Sequence, residues 1–385
     1  MNEDFIYLDN AATTWPKPEV VYEAVARCLR ESGANPGRAS HRMSVAAQWI
    51  IDETRALVAG FFGAPSPSHV IFTLNCTDAL NMALKGLLRP GDKVVTGPYE
   101  HNSVMRPLRH LQTRGVSLRA VGGTQNLTVN LEQFREECRG GAKLVVVSHA
   151  SNVTGRTQPI REMAEIVHES GGLFLLDAAQ TAGKMEIDVR DLGVDLVVAP
   201  GHKGLLGPMG VGLLIMSREL DIEPLREGGT GVGSEEEFHP RDLPWALEAG
   251  TPNLPGIAGL GAGVKFLRSV GLKAVMAKEA ELSALLVQGL ERIPGVQVFQ
   301  GPGGPENGIV SFTIRGCEAS VAGTILDQTF AIGVRPGLHC SPDAHKALGT
   351  FPQGTIRASF GYFSQLDHVG RLVSAIGQIA EESRY

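Results

Sequence analysis

The sequence predicts an α/β fold: a large domain built on a mainly parallel seven-stranded sheet, followed by a smaller α+β domain. Two patterns carry that expectation. Short β-branched runs alternate with helix-period segments through the first two-thirds of the chain, and the alternation stops near Gly256. The runs are Val70–Thr73, Lys93–Thr96, Ser117–Val121, Leu144–Ser148, Leu173–Asp177, Leu196–Ala199 and Val211–Met216. Most are apolar along their whole length, which suits strands buried on both faces. Helix-period stretches such as Pro18–Glu31, Ala79–Leu88 and Ile160–Ser170 suit the crossovers between parallel neighbours. Beyond Gly256, Leu260–Ile293 reads as one long connecting helix ended by Pro294-Gly295. Strands at Val296–Phe299, Ile309–Ile314 and Thr355–Ser359 follow, with helices near Val321–Gln328 and Leu366–Glu381. The expected division is a large domain of residues 18–262 and a small domain formed by 1–17 with 263–385. Gly228–Pro244, with its glycines, prolines and Glu235-Glu236-Glu237 run, is expected to be a mobile loop.

Composition narrows the function classes. With 385 residues, roughly three-quarters of the unfolded chain's surface is available for burial, enough for both domains. Thirty-five basic against 41 acidic residues give a net charge of -6, and no Lys/Arg run marks a nucleic-acid footprint. The apolar stretches are too short to span a bilayer. Met1-Asn2-Glu3-Asp4 is acidic and polar, the reverse of a signal peptide, so a cytoplasmic location is expected. Five cysteines without a CxxC pair exclude a disulfide framework and a thiolate zinc site, and no metal is expected.

Forty-seven glycines invite a nucleotide reading, but no GxGxxG or GxxxxGK[ST] is present. HExxH and GxSxG are also missing. Three segments at strand ends survive. Leu173–Asp177 ends in a carboxylate, with Gln180 three residues on. Leu196–Ala199 runs into Pro200-Gly201-His202-Lys203. Val70–Thr73 leads to Asn75-Cys76-Thr77-Asp78, a helix start whose free N–H groups make a phosphate seat. Parallel sheets place ligands at those strand ends. A lysine, a carboxylate and a phosphate seat are what pyridoxal phosphate requires, for its aldehyde, its ring nitrogen and its phosphate.

A family resemblance enters with the ordered motifs. Tyr7–Thr13, Asp177–Gln180, Gly201–Lys203, Glu248–Asn253 and Arg335–Cys340 resemble those of the class V aminotransferases, specifically the cysteine desulfurases. The Arg-x-Gly-x-His-Cys form is similar to the group II branch (SufS-like, selenocysteine-lyase-like). The resemblance spans nearly the whole chain and implies a pyridoxal-phosphate-dependent transferase fold of type I. It implies that Lys203 is the Schiff-base lysine, Asp177 the partner of the ring nitrogen and Gln180 the partner of the phenolic oxygen. His101 would stack on the ring and act as an acid/base, and Asn152 would sit beside the phenolic oxygen and the substrate. Cys76, Thr77 and His202 fall at the phosphate. Thr251 would reach the phosphate of the neighbouring subunit in a homodimer. Arg357 would clamp the substrate carboxylate, with Arg335 assisting near the catalytic loop. Pro200 and Cys76 depart from the usual hydroxyl residues, which implies weaker phosphate anchoring.

The implied reaction converts L-cysteine to L-alanine. Lys203 shuttles protons, and Cys340, as a thiolate favoured by His339 and Arg335, takes the sulfur as a persulfide. A sulfur-acceptor protein and iron–sulfur cluster assembly follow as expectations. Cys28, Cys138 and Cys317 read as structural. A selenocysteine lyase, or another class V aminotransferase or lyase of the same fold, is the alternative. A binding protein without chemistry fits poorly with intact Lys203, Asp177, His101 and Arg357.

Overall fold

The computed structural model describes residues 5–37 and 41–383. The described chain opens with β1 (Ile6–Tyr7), followed by β2 (Val70–Thr73), β3 (Lys93–Thr96), β4 (Ser117–Ala120) and β5 (Leu144–Ser148). Then come β6 (Leu173–Asp177), β7 (Leu196–Pro200) and β8 (Gly212–Met216). Strands β2 to β8 form one seven-stranded sheet in the order β2-β8-β7-β6-β5-β3-β4. All of its neighbours pair in parallel except β8, which runs antiparallel to β7 and β2. Successive residues of a strand face opposite sides. Accordingly Val145, Val147, Phe174, Leu176 and Val197 pack in one apolar cluster, and Leu144, Val146, Leu175, Leu196 and Val198 in another. Two buried faces explain why these strands read as unbroken apolar runs.

The second sheet is antiparallel: β9 (Val296–Phe299), β10 (Ile309–Ile314), β12 (Arg335–Gly337) and β13 (Thr355–Ser359), in the order β12-β13-β10-β9. β11 (Ile332–Gly333) pairs in parallel with β1, so the start of the described chain lies against its last third.

Two expectations need correction. The stretch Leu260–Ile293 is not one helix but two, Leu254–Val270 and Leu272–Leu290. Gly271 breaks it, with φ at 86° and its N–H bonded to Leu267 O, a backbone state that closes a helix at little cost only for glycine. The 21-residue helix Arg42–Phe62 was not expected at all. It buries Ala47, Ile51, Val58 and Phe62 but leaves Val45 and Trp49 exposed, so its period is blurred by apolar residues on two faces. Gly228–Pro244 carries neither helix nor strand.

Gly183, in the turn after β6, positions the lysine turn. Its φ is 83°, and a Cβ there would lie 2.2 Å from Gly204 O. Both the backbone sign and the contact demand glycine. Gly183→Ala is expected to lower stability by about 2 kcal/mol or more, from left-handed strain and overpacking together, as measured by urea denaturation.

Candidate functional site

Parallel neighbours β5, β6 and β7 end side by side, with Ser148 in register with Asp177 and Asp177 with Val198. Their ends, with the start of helix Cys76–Leu87, enclose a cavity of about 170 Å³. Cys76, Thr77, His101, Asn152, Asp177, Gln180, His202 and Lys203 all line it. Residues drawn from five separate stretches of sequence thus meet at one place.

The lysine is set for chemistry by desolvation. Burial, helped by the nearby Arg357 charge, lowers the Lys203 pKa to about 8, although Asp177 pulls the other way. A useful fraction of free amine therefore exists near neutrality. Asp177 is buried, and burial raises its pKa while the Ala179 N–H and the Lys203 charge oppose the rise. Its Oδ1 accepts from Ala179 N at 2.9 Å and lies 3.9 Å from Cys76 Sγ. The Cys76 thiol is pushed well up, first by burial and then by Asp177. Cys76 thus touches the acid, a contact that its place at the phosphate seat did not suggest.

His101 caps helix Asn102–Gln112. Its Nδ1 accepts from Ser103 N at 3.0 Å. Burial first, then the Lys203 charge, lowers its pKa to about 4, so the ring is neutral at pH 7. His202 is lowered to about 4 in the same way, and its Nδ1 is buried without a partner. Thr77 Oγ1 lies 2.8 Å from Ser103 Oγ, and Asn75 caps its helix through Asp78 N. The first-turn N–H groups of Cys76 and Thr77 have no intrahelical acceptor. Gln180 Nε2 donates to Ala11 O at 3.2 Å.

Two arginines and the exposed Cys340 lie beside this cavity without lining it. β12 and β13 set Arg335 opposite Arg357. Arg335 Nη2 is 3.5 Å from Cys340 Sγ. Arg357 is buried, with Nη1 donating to Asn152 O at 2.9 Å and Nη2 to Asp9 Oδ1 at 2.8 Å. Its Nε has no partner. Asn152 braces the thiol loop: Nδ2 donates to His339 O at 2.7 Å, and Oδ1 accepts from Ser341 Oγ at 2.6 Å. His339 and Cys340 both have left-handed φ values, 49° and 59°. One expectation fails here. His339 is buried and its pKa is lowered to about 2, chiefly by burial, so it brings no charge to the thiol. Arg335 is the cation at hand.

Thr251 stands apart, exposed and beside a different cleft with Arg226 and Thr230. Cys28 and Cys138 are buried in the core. Cys317 packs against the small sheet's apolar cluster. Three residues went unassigned in the sequence. Glu100 is buried with its pKa raised to about 8, burial prevailing over the hydrogen bonds from Ser148. It accepts from Ser148 N at 2.9 Å and Ser148 Oγ at 2.7 Å, tying the segment before His101 to the end of β5. Asp9 pairs with Arg357, and Ser341 with Asn152. Asp9 lies within the Tyr7–Thr13 motif and Glu100 precedes His101, but nothing in their spacing announces such distant partners.

The donor set fits pyridoxal phosphate: Lys203 for the aldehyde, Asp177 for the ring nitrogen, and the unpartnered His202 Nδ1 with the Cys76 and Thr77 N–H groups for the phosphate. Pro200 lines the cavity without offering a donor. Only the unprotonated amine attacks an aldehyde. The rate at which the apoprotein captures pyridoxal phosphate is therefore expected to climb with pH and reach half its maximum at about 8, and Lys203→Ala is expected to abolish capture; stopped-flow absorbance checks both.

Comparison with known proteins agrees with this geometry. The family model described as Aminotransferase class-V matches residues 6–372. A probable cysteine desulfurase of Methanothermobacter thermautotrophicus is 36% identical, over 98% of this chain and 95% of its own. One from Pyrococcus abyssi is 34% identical, over 100% and 96%. Among solved structures, the apo cysteine desulfurase of Thermococcus onnurineus superposes with a TM-score of 0.92 at 34% identity, covering 98% of this chain and 95% of that one. The cysteine desulfurase CsdA of Escherichia coli gives 0.88 at 28%, covering 99% and 96%. The chain thus belongs to the class V aminotransferase family and has the type I fold of pyridoxal-phosphate-dependent enzymes.

Proposed function

We propose that this protein is a cysteine desulfurase, converting L-cysteine to L-alanine and retaining the sulfur on Cys340 as a persulfide. One observation carries the reading. The Cys340 loop is bonded onto both flanks of the lysine cavity, through Asn152 to His339 O and through Asn102 N to Cys340 O at 2.7 Å. An exposed thiol is thereby held next to residues that flank the cavity containing the amine and the acid. The relatives described above carry the desulfurase name, which does not favour the selenocysteine-lyase or aminotransferase alternative.

Pyridoxal phosphate bound in the cavity supplies an electron sink that loosens bonds at the amino acid's Cα. The chain's own residues do the rest. Arg357 offers its unpartnered Nε–H to the substrate carboxylate, while Asp9 and Asn152 O hold its two Nη groups. Lys203, with its lowered pKa, carries a proton to and from the substrate. Neutral His101 would pack on the ring of the bound cofactor, Gln180 would face its phenolic oxygen, and Asp177 would hold the proton on its ring nitrogen. The Cys340 thiolate, beside the Arg335 guanidinium, attacks the substrate sulfur. A sulfur–sulfur bond forms and the substrate's Cβ–S bond breaks. The electron pair stays on carbon, which takes up a proton to become the methyl group of alanine.

The remaining assignments belong to the same reading. Residues 18–262 form the cofactor-binding domain, and 1–17 with 263–385 the small domain. The active unit is a homodimer in which exposed Thr251 reaches the neighbour's phosphate. The persulfide passes to an acceptor protein, in the service of iron–sulfur assembly in the cytoplasm. Among the described residues no helix is long and apolar enough to cross a membrane.

Incubation with L-cysteine is expected to yield alanine and a Cys340 peptide heavier by one sulfur atom in mass spectra. Cys340→Ala is expected to cut alanine formation from cysteine by about a hundredfold or more while leaving the cofactor's visible band in place. A variant that still desulfurates at the parent rate would refute the role given to this thiol.

A further inference from the structure

Residues 9–17 pass across the site without lining its cavity, yet they touch three of its members. Asp9 holds Arg357, and Ala11 O accepts from Gln180. The third contact is the densest. Four hydrogen bonds converge on the carbonyl of His202, the residue before Lys203: from Thr13 Oγ1 at 3.1 Å, Thr14 N at 3.2 Å, Thr14 Oγ1 at 3.2 Å and Lys17 Nζ at 2.6 Å. Thr14 Oγ1 also reaches Lys203 O at 3.0 Å. A carbonyl oxygen has two lone pairs, so the shortest donor, the Lys17 amine, dominates this crowd.

Lys17 is an unusual choice for such a place. Burial lowers its pKa to about 7, and among the described residues it forms no ion pair. Its contacts are the His202 carbonyl and Thr14 Oγ1 at 2.5 Å. A recessed ammonium without a carboxylate costs stability, and an apolar side chain of similar length would pack there at less cost. What the amine adds, as an N–H donor in either protonation state, is a grip on one carbonyl. Pro16 and Pro18 flank Lys17 and restrict its backbone, and Tyr22 Oη accepts from its N–H at 3.0 Å, so the grip comes from a stiff segment. Gly183 packs against Gly204 too closely for any Cβ, so the lysine turn is held at His202, Lys203 and Gly204 by two separate segments.

We propose that Lys17 is a positioning residue: by holding the His202 carbonyl it fixes the peptide plane from which Lys203 departs, and so the aim of Nζ into the cavity. The inference rests on the reading of Lys203 as the cofactor-bearing amine. Its effect passes through the backbone, and Lys17 itself touches neither cofactor nor substrate.

The test compares Lys17→Met and Lys17→Arg with the parent, as full-length protein reconstituted with pyridoxal phosphate. Four readouts are taken: the visible band of the lysine–cofactor adduct, its pH midpoint, the kcat and KM for L-cysteine, and the melting temperature of the apoprotein. Lys17→Met is expected to melt close to the parent and to shift the band's midpoint by about half a pH unit or more. Its kcat is expected to fall about tenfold with KM within about twofold, and Lys17→Arg to restore most of both properties. A parent-like midpoint and kcat in Lys17→Met would overturn the proposal. So would losses of kcat and melting temperature that run in parallel with an unmoved band. If the methionine variant does not fold, Lys17→Leu, which offers no donor, takes its place: a shifted midpoint with reduced kcat supports the proposal, and parent-like values overturn it. A parent that shows the band but makes no alanine refutes the desulfurase reading and leaves the comparison of midpoints to decide this one. A parent without the band overturns both.

Discussion

Desolvation of one lysine is the constraint around which the molecule is arranged. An amine that is to act near neutral pH must lose water without gaining a carboxylate so close that it stays protonated. Lys203 meets that condition because it springs from the end of a strand buried on both faces, into a cavity walled by protein. Asp177 comes from the adjacent strand and tempers the shift, while Arg357 deepens it. The parallel sheet is the means to this end. It delivers the carboxyl ends of neighbouring strands to one edge, and the helix after β2 adds unpaired N–H groups to the same edge.

Strand ends alone would leave the lysine turn loose, and the structure answers with contacts from two separate segments. Gly183 and Gly204 bring two backbones together where no side chain fits. Separately, residues 13–17 bond to the carbonyls of His202 and Lys203. That segment is anchored in turn to the C-terminal third of the chain, since β1 pairs with β11 and Asn10 Nδ2 donates to Ser359 O. Arg357, two residues before Ser359, pairs with Asp9. One continuous run of short contacts therefore joins the guanidinium proposed for the substrate to the amine proposed for the cofactor.

Much of this was legible in the sequence, for a reason that can be stated. Strands buried on both faces write themselves as unbroken apolar runs, so β5, β6 and β7 and the residues at their ends could be placed before any coordinates. Asp177, Gln180, His202 and Lys203 each follow such a run within a few residues. Helix Arg42–Phe62 was illegible because exposed Val45 and Trp49 spoil its polar face. The break at Gly271 was also missed, since one glycine in an apolar periodic stretch is compatible with either an interior position or a cap. Glu100, Asp9 and Lys17 escaped for a different reason. Their partners lie 48, 348 and 185 residues away, and a bond across such a distance leaves no local pattern.

The same distances separate two ways a cysteine is kept in a useful state. Cys76 faces Asp177 in the cavity, where burial and the acid hold its thiol protonated, so proximity to the lysine does not make it a nucleophile. Cys340 is exposed, faces a guanidinium, and sits on left-handed backbone that Asn152, Asn102 and Ser341 brace from the cavity side. His339, next to it in sequence, contributes no charge because its ring is buried against Thr355 and His345. Of the two partners the sequence suggested, His339 and Arg335, only the second brings a charge, and the antiparallel pairing of β12 with β13 sets it opposite Arg357. What surrounds each thiol here is set by burial and strand pairing rather than by its neighbours in sequence.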